Sequence, residues 1–287
     1  MKQELQDLLD LLDLEAIEVN IFRGVSPAEG WQRVYGGQVI GQALVAASRT
    51  VEDQSRIAHS LHGYFLRPGD TTIPILYEVD RIRDGASFTT RRVVATQRGR
   101  AIFSMSVSFQ VIEEGLEHQF EMPVVKRPED CPSQLELNEQ YADDIPEAFR
   151  KRSHTPQPIE MRFAEPLNQY NPVKMTPHQN TWIKTVDKMP HDPRLNQCLL
   201  AYASDMTLID TAARPHGISW TNEKFQVASL DHAMWFHQPF NIDEWLLYSQ
   251  DSPFSGGARG LSRGAFYNQS GTLIASVAQE GLMRLHS

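Results

Sequence analysis

Cysteine is scarce in this 287-residue chain: Cys131 and Cys198 are its two. A pair cannot build a disulfide framework or a four-ligand zinc site. A reducing compartment, the cytoplasm by default, is therefore expected. No apolar run approaches the roughly 20 residues that a membrane helix needs, so no membrane insertion is expected. Excess positive charge is also missing. With 27 Lys and Arg against 36 Asp and Glu, the net charge is −9. That argues against a general nucleic-acid binder, whose affinity rests on neutralising phosphates. It leaves room for a local basic pocket that takes a phosphorylated small molecule. The first twenty residues are acidic and leucine-spaced, lacking the basic start and unbroken apolar stretch of a secretory signal. Leu5, Leu8, Leu9 and Leu12 fall on one face of an amphipathic helix.

The familiar site motifs are absent too. There is no P-loop, no G-x-G-x-x-G after a strand and no H-E-x-x-H. Gly260–Gly264 does spell G-x-S-x-G around Ser262, the pattern of a hydrolase nucleophile elbow. That elbow needs a buried strand before it, a helix after it, then an acid and a histidine. Here SGGAR precedes it and a hairpin-like AFYNQSG follows. No Asp comes later, and His286 is the one later histidine. Asp231, His232 and His237 crowd one short stretch without ligand spacing, so no metal site is expected there. Each histidine reads as a hydrogen-bonded structural residue or a surface one.

What the sequence does contain is a repeat. Tyr64-Phe65 then Pro68 matches Trp235-Phe236 then Pro239, and Ser106-Val107 matches Ser276-Val277. Pro68 lies 39 residues before Val107, and Pro239 lies 38 before Val277. Each pair of anchors follows a segment rich in small residues, GGQVIGQALVAASRT and NQCLLAYASDMTLID. This implies an internal duplication, with units at 1–112 and 159–287. Residues 113–158, charged and proline-rich, read as a connection with one short helix. Each unit shows one apolar helix and then a run of strands broken at turns such as Arg-Asp-Gly and Gln-Arg-Gly. That is an α+β pattern. The helix of the first unit is small-sided nearly all round, which suits enclosure by a sheet.

Three polar residues stand in apolar company. Asp205, in LLAYASDMTLID, has Ala201, Tyr202, Leu208 and Ile209 as neighbours if the segment is one helix. An ionised carboxylate there costs several kcal/mol without partners; the plainer reading is a helix-end cap. Gln279 shares strand parity with Leu273, Ala275, Val277 and Met283. Read as one strand, 225–235 places Ser229 with Phe225, Val227, Asp231, Ala233 and Trp235. Matching the units sets Ala58 against Ser229 and Phe109 against Gln279, and no acid occurs between Gly36 and Val51. One polar cluster per chain, in the second unit, is what a single working site would look like.

The stretches VYGGQVIGQALVAA (34–47), HSLHGYFLRPGD (59–70), RDGASFTTRRV (83–93), IEMR (159–162), YASDMTLI (202–209), SLDHAMWFHQPF (229–240), WLLYS (245–249) and SVAQEGLMR (276–284) together resemble the bacterial acyl-CoA thioesterase II family over almost the whole chain. The resemblance implies a double hot-dog fold, each unit a long helix wrapped by an antiparallel sheet. It implies hydrolysis of medium- to long-chain acyl-CoA to fatty acid and CoA with neither metal nor cofactor, and assembly as a homodimer or homotetramer. The family's catalytic Asp, Thr or Ser, and Gln fall on Asp205, Ser229 and Gln279. Asp205 would take a proton from water that Ser229 and Gln279 position. Gly36-Gly37 is a candidate oxyanion donor, and an acyl tunnel is expected between the halves. Arg91, Arg92, Lys126 and Arg127 are available for CoA phosphates. Burial and hydrogen bonding pull the pKa of Asp205 in opposite directions. Two alternatives stay open: a hot-dog enoyl-CoA hydratase using an Asp with His59, His62 or His232, and a non-catalytic acyl-CoA sensor.

Overall fold

The computed structural model describes residues 1–27 and 33–286. Helix α1 (Gln3–Leu12) turns Leu5, Leu8 and Leu12 inward. Strands β1 (Glu15–Glu18) and β2 (Ile21–Gly24) lead to helix α2 (Gly36–Arg49), then β3 (Arg56–Phe65), β4 (Ile75–Asp84), β5 (Phe88–Gln97) and β6 (Arg100–Val111). Residues 112–158 carry two short helices, α3 (Gln134–Gln140) and α4 (Glu147–Ser153), rather than the one expected. A Ser133/Glu136 capping box starts α3. Then come β7 (Ile159–Phe163), β8 (His178–Thr185), α5 (Pro193–Ser204), α6 (Leu208–Ala213), β9 (Phe225–Ser229), β10 (Asp231–Phe236), β11 (Leu246–Gly256), β12 (Arg259–Asn268) and β13 (Leu273–Leu285).

The strands form one antiparallel sheet in the order β1-β2-β4-β5-β6-β3-β10-β13-β12-β11-β8-β7, with β9 on β13. Read outward from the β3–β10 junction, each half repeats the other. β6 answers to β13, β5 to β12, β4 to β11, β2 to β8 and β1 to β7. This mirror order is the duplication seen in three dimensions, and it is the expected α+β double hot-dog arrangement. Helix α2 lies across β2–β6, α5 packs along α2, and α6 crosses β11–β13.

Small residues permit the helix contact. A Cβ on Gly37 would come within 2.2 Å of the Tyr202 carbonyl oxygen, and one on Gly41 within 3.2 Å of that of Cys198. At the opposite ends Arg194 donates to the carbonyls of Ser48 and Val51, so the two helices run antiparallel. The N-terminus of α2 thereby meets the C-terminus of α5, where Asp205 stands.

The registers refine the residue matching. In β3 a bulge falls between Ala58 and Ser60. In the second unit Ser229 pairs with Gly281 and Ala233 with Ala278, so Leu230 is the extra residue of an equivalent bulge. With the bulges superposed, Ala58 answers to Ser229 and Leu61 to His232. His62 pairs with Ser106 as Ala233 pairs with Ala278. Gln279 therefore answers to Val107, two residues from the Phe109 expected. On β5, Arg91 opposite Val107 answers to Ser262 opposite Gln279.

Candidate active site

Asp205 is the C-cap residue of α5. The helix does not run through it to Leu208 and Ile209 as its apolar pattern suggests. Thr207 adopts a left-handed conformation, φ 62°, and α6 restarts beyond it. A β-branched residue is held there at a cost of about 1–3 kcal/mol. Gln250 donates to the Thr207 hydroxyl at 2.7 Å and receives the Thr211 hydroxyl at 2.8 Å. The cap position does not exhaust Asp205, because its side chain reaches across to the sheet.

Three elements converge there. The Ser229 hydroxyl donates to Asp205 Oδ1 at 3.2 Å. Gln279 Nε2 donates to the same oxygen at 3.0 Å and to Ser229 Oγ at 2.6 Å. The backbone N–H of Gly37 also donates to the carboxylate. That amide serves the acid, which alters its expected part as an oxyanion donor. Gly36 and Phe65 of the first unit crowd the other face; a Cβ on Gly36 would lie 2.6 Å from Asp205 Oδ2. The site thus sits at the seam of the two units.

Burial decides the contest over acidity. It pushes Asp205 up to about 6, against the pull of Gln279, Ser229 and Gly37, and the nearby Asp210 adds to the rise. Burial likewise lifts Asp210 to about 6, opposed by Arg214. The walls are aromatic. Tyr35 donates its hydroxyl to the Tyr202 carbonyl and meets that ring edge-on, with centroids 5.2 Å apart. Tyr248 donates to the Ser204 carbonyl.

The bulge at Leu230 explains what sequence parity misassigned. Beyond it the strand reverses face. His232, Met234 and Phe236 turn inward, and Trp235, expected beside Ser229, is exposed. Asp231 turns away to accept the backbone N–H of Glu280 at 2.7 Å. His232 is 1% exposed. Its Nδ1 lies 2.8 Å from Gln279 Oε1, and its Nε2 lies 2.8 Å from Ser204 Oγ. It reaches Asp205 through Gln279, not directly. His62 packs edge-on against Trp235, and His59 edge-on against Phe88.

Ser262 lies inside β12, directly opposite Gln279, on a strand that continues in both directions. It is no elbow. Its hydroxyl is buried without a partner. Among the described residues no three of His, Cys, Asp and Glu could jointly hold a metal ion. Arg91, considered for CoA phosphate, is 1% exposed and bound to Thr50 and Asp84. Arg92 pairs with Asp80, and Arg127 with Asp130. A hollow of about 70 Å³ lies within the second unit and the connecting segment, lined by Leu137, Phe163, Thr207, Asp210, Arg214 and Trp220 among others.

A family model described as acyl-CoA thioesterase matches residues 150–282, and one described as an acyl-CoA thioesterase N-terminal domain matches residues 27–110. The chain is 41% identical over 284 residues to acyl-CoA thioesterase 2 of Haemophilus influenzae, covering 99% of both proteins. The crystal structure of an acyl-CoA thioesterase II from Mycobacterium marinum superposes with a TM-score of 0.79 at 44% identity, over 98% of this chain and 99% of that one. A hot-dog protein of unknown function from Alicyclobacillus acidocaldarius shares the fold, with a TM-score of 0.77 at 17% identity over 98% of this chain and 99% of that one.

Proposed function

The chain belongs to the acyl-CoA thioesterase family and is an acyl-CoA thioester hydrolase, and from that premise we propose that Asp205 is the general base of its reaction, with Ser229 and Gln279 positioning the attacking water. The observation that carries this reading is the meeting of Asp205, Ser229 and Gln279, from three elements, within 3.2 Å of one another. A carboxylate near pKa 6 is ionised at neutral pH yet basic enough to take a proton as the water oxygen attacks. Ser229 and Gln279 hold that oxygen in line, which removes much of the entropic barrier. The positive end of α2, already aimed at Asp205, favours the negative charge that develops as attack proceeds. The thiolate then leaves. It is a good leaving group, so a positioned water suffices where an amide would need a stronger nucleophile.

The same reading takes medium- to long-chain acyl groups as substrates. It divides the chain into units at 1–112 and 159–287 joined by 113–158, with the second carrying the site. It also has copies associating as a dimer or tetramer through the outer sheet face, where Tyr64 and Trp235 are exposed. A cytoplasmic location completes the reading. Cys131 and Cys198 are both free, and no described helix is long and apolar enough to cross a membrane.

Thiol release from saturated acyl-CoAs of graded length tests the reading. Free CoA, released fastest from medium and long chains, supports it. Water addition to an enoyl-CoA in place of thiol release would point to a hydratase. The Asp–Gln–His order argues against that outcome, because His232 has no direct contact with the acid. Tight binding without turnover would point to a sensor.

A further inference from the structure

We propose that His232 is a positioning residue for the hydrolysis: it holds the Gln279 amide in the one orientation that directs its hydrogens at Asp205 and Ser229. The inference rests on the roles given above to those three residues.

A glutamine amide can sit two ways round. With Nε2 turned to Asp205 Oδ1 at 3.0 Å and Ser229 Oγ at 2.6 Å, it positions both. Flipped, it would set Oε1 against an ionised carboxylate oxygen. The partner at the far end decides. Gln279 Oε1 can only accept, so the ring nitrogen 2.8 Å away, His232 Nδ1, must carry hydrogen. Burial pulls His232 down to about 4, so the ring is neutral and Nε2 is bare. Ser204 Oγ, 2.8 Å from Nε2, then donates to it. That hydroxyl carries one hydrogen, and the Ala201 carbonyl, 2.9 Å from the same oxygen, is the acceptor that competes with Nε2 for it. The opposite tautomer would accept at Nδ1 and permit the flipped amide. The chain from Ser204 through His232 and Gln279 to Asp205 therefore has one internally consistent direction.

Ser204, His232 and Gln279 are each at most 1% exposed, so solvent supplies none of these bonds. The first unit shows what the same backbone needs for packing alone. Leu61 stands for His232 and Val107 for Gln279, and both are buried. A histidine occurs where there is an amide to orient, and a leucine where there is none.

The test is a mutant cycle on the full-length enzyme, read by thiol release from a saturated acyl-CoA. H232L, H232N and H232Q are made alone and in a Q279A background, with D205N alongside. H232L and H232Q are expected to lose about 10–100-fold in kcat, with KM within about twofold. H232N keeps a nitrogen donor near the place of Nδ1 and should recover most of that loss. In Q279A the histidine substitutions should change nothing further. Equal losses with and without Gln279 would overturn the inference, as would H232N performing no better than H232Q. If H232L does not fold, the N/Q comparison decides alone. Turnover retained in D205N sinks the underlying mechanism and this inference together. A dead D205N with additive histidine effects sinks this inference only.

Discussion

Replacing Asp205 by Asn should make the protein more stable while nearly abolishing its activity. Burial holds the folded acid at about 6 against an ordinary 3.8, so the folded protein binds that proton more tightly than the unfolded chain. For a carboxyl with a raised pKa, stability falls as pH rises through the window from about 4 to about 6. A shift of about two units corresponds to about 3 kcal/mol lost at pH 7.5. An Asn at 205 has no charge to desolvate and keeps one acceptor oxygen for Ser229 and Gln279. It gives up one remaining hydrogen bond, offsetting about 1 kcal/mol. The net gain is about 2 kcal/mol, or about 4 °C in Tm for a chain of this size. Asp210, also near 6, is relieved by loss of its neighbour's charge, which adds in the same direction. Tyr35, Tyr202 and Tyr248 stay neutral throughout, since burial raises all three above their ordinary value. Thermal melts of the two proteins at pH 7.5 and pH 4.5 provide the assay, with thiol release measured at pH 7.5. The Tm gap should shrink at the lower pH, where the native acid is protonated, and turnover should drop about 100-fold or more. A variant less stable than the parent at pH 7.5, or a gap indifferent to pH, would refute the burial argument; unimpaired turnover would remove Asp205 from the chemistry.

Wild-type kcat/KM should fall below a limb near pH 6, because the proposed mechanism needs the ionised acid; the limb belongs to Asp205 and Asp210 titrating together, and an acid limb near 4 would contradict it. Ser229→Thr should keep turnover within a fewfold, while Ser229→Ala loses about tenfold or more in kcat; steady-state kinetics of the pair checks whether the hydroxyl matters. Ser262→Ala should leave kcat unchanged and hold or raise stability by about 1 kcal/mol, since it removes a buried hydroxyl that has no partner. A dead enzyme there would restore the nucleophile elbow. Gly37→Ala should destabilise by about 1–3 kcal/mol, because its Cβ meets a backbone oxygen at 2.2 Å that cannot swing aside. Urea unfolding measures that, and an unchanged midpoint would contradict the close helix approach.

Composition and strand parity point to much of the candidate site, and the residues they misplace are misplaced for physical causes. Asp205 and Gln279 were legible because a polar residue among apolar neighbours violates a period. Their meeting was not, because nothing in a linear pattern says that α2 and α5 run antiparallel. Ser229 was found on parity within β9. His232 is hydrogen-bonded as expected, but parity sets it on the face opposite Ser229, because one extra residue, Leu230, reverses the face of everything after it. No Gly or Pro marks that bulge, although the matching bulge around His59 repeats it in the first unit. The same missing punctuation hid the break at Thr207. The duplication was visible from its anchors, yet the Ser-Val dipeptides pulled the last strand two residues out of register; only the pairing of His62 with Ser106 and of Ala233 with Ala278 corrects it.

With the pairing taken from the strand registers, the two units differ in one electrostatic respect that bears on the general base proposed for the second unit. The C-terminal end of a helix is its negative end. In the first unit that end is treated conventionally. The C-cap Thr50 accepts from Arg91 Nε at 2.9 Å, and the same guanidinium donates to the Thr50 carbonyl at 3.2 Å. A buried cation thus faces the end of α2. In the second unit the helix end carries an anion, Asp205, and the strand position that answers to Arg91 holds Ser262, whose buried hydroxyl has no partner. The acid therefore meets an unfavourable dipole on its own helix and no cation from the sheet. Its support comes from neutral donors, Gly37, Ser229 and Gln279. Neutral donors fix its position without neutralising it. An Arg at the Ser262 position would form a salt bridge, hold the carboxyl well below the usual range and leave it too weak a base to take a proton from water. Burial, with neutral donors in place of a cation, is what holds the proposed general base near 6.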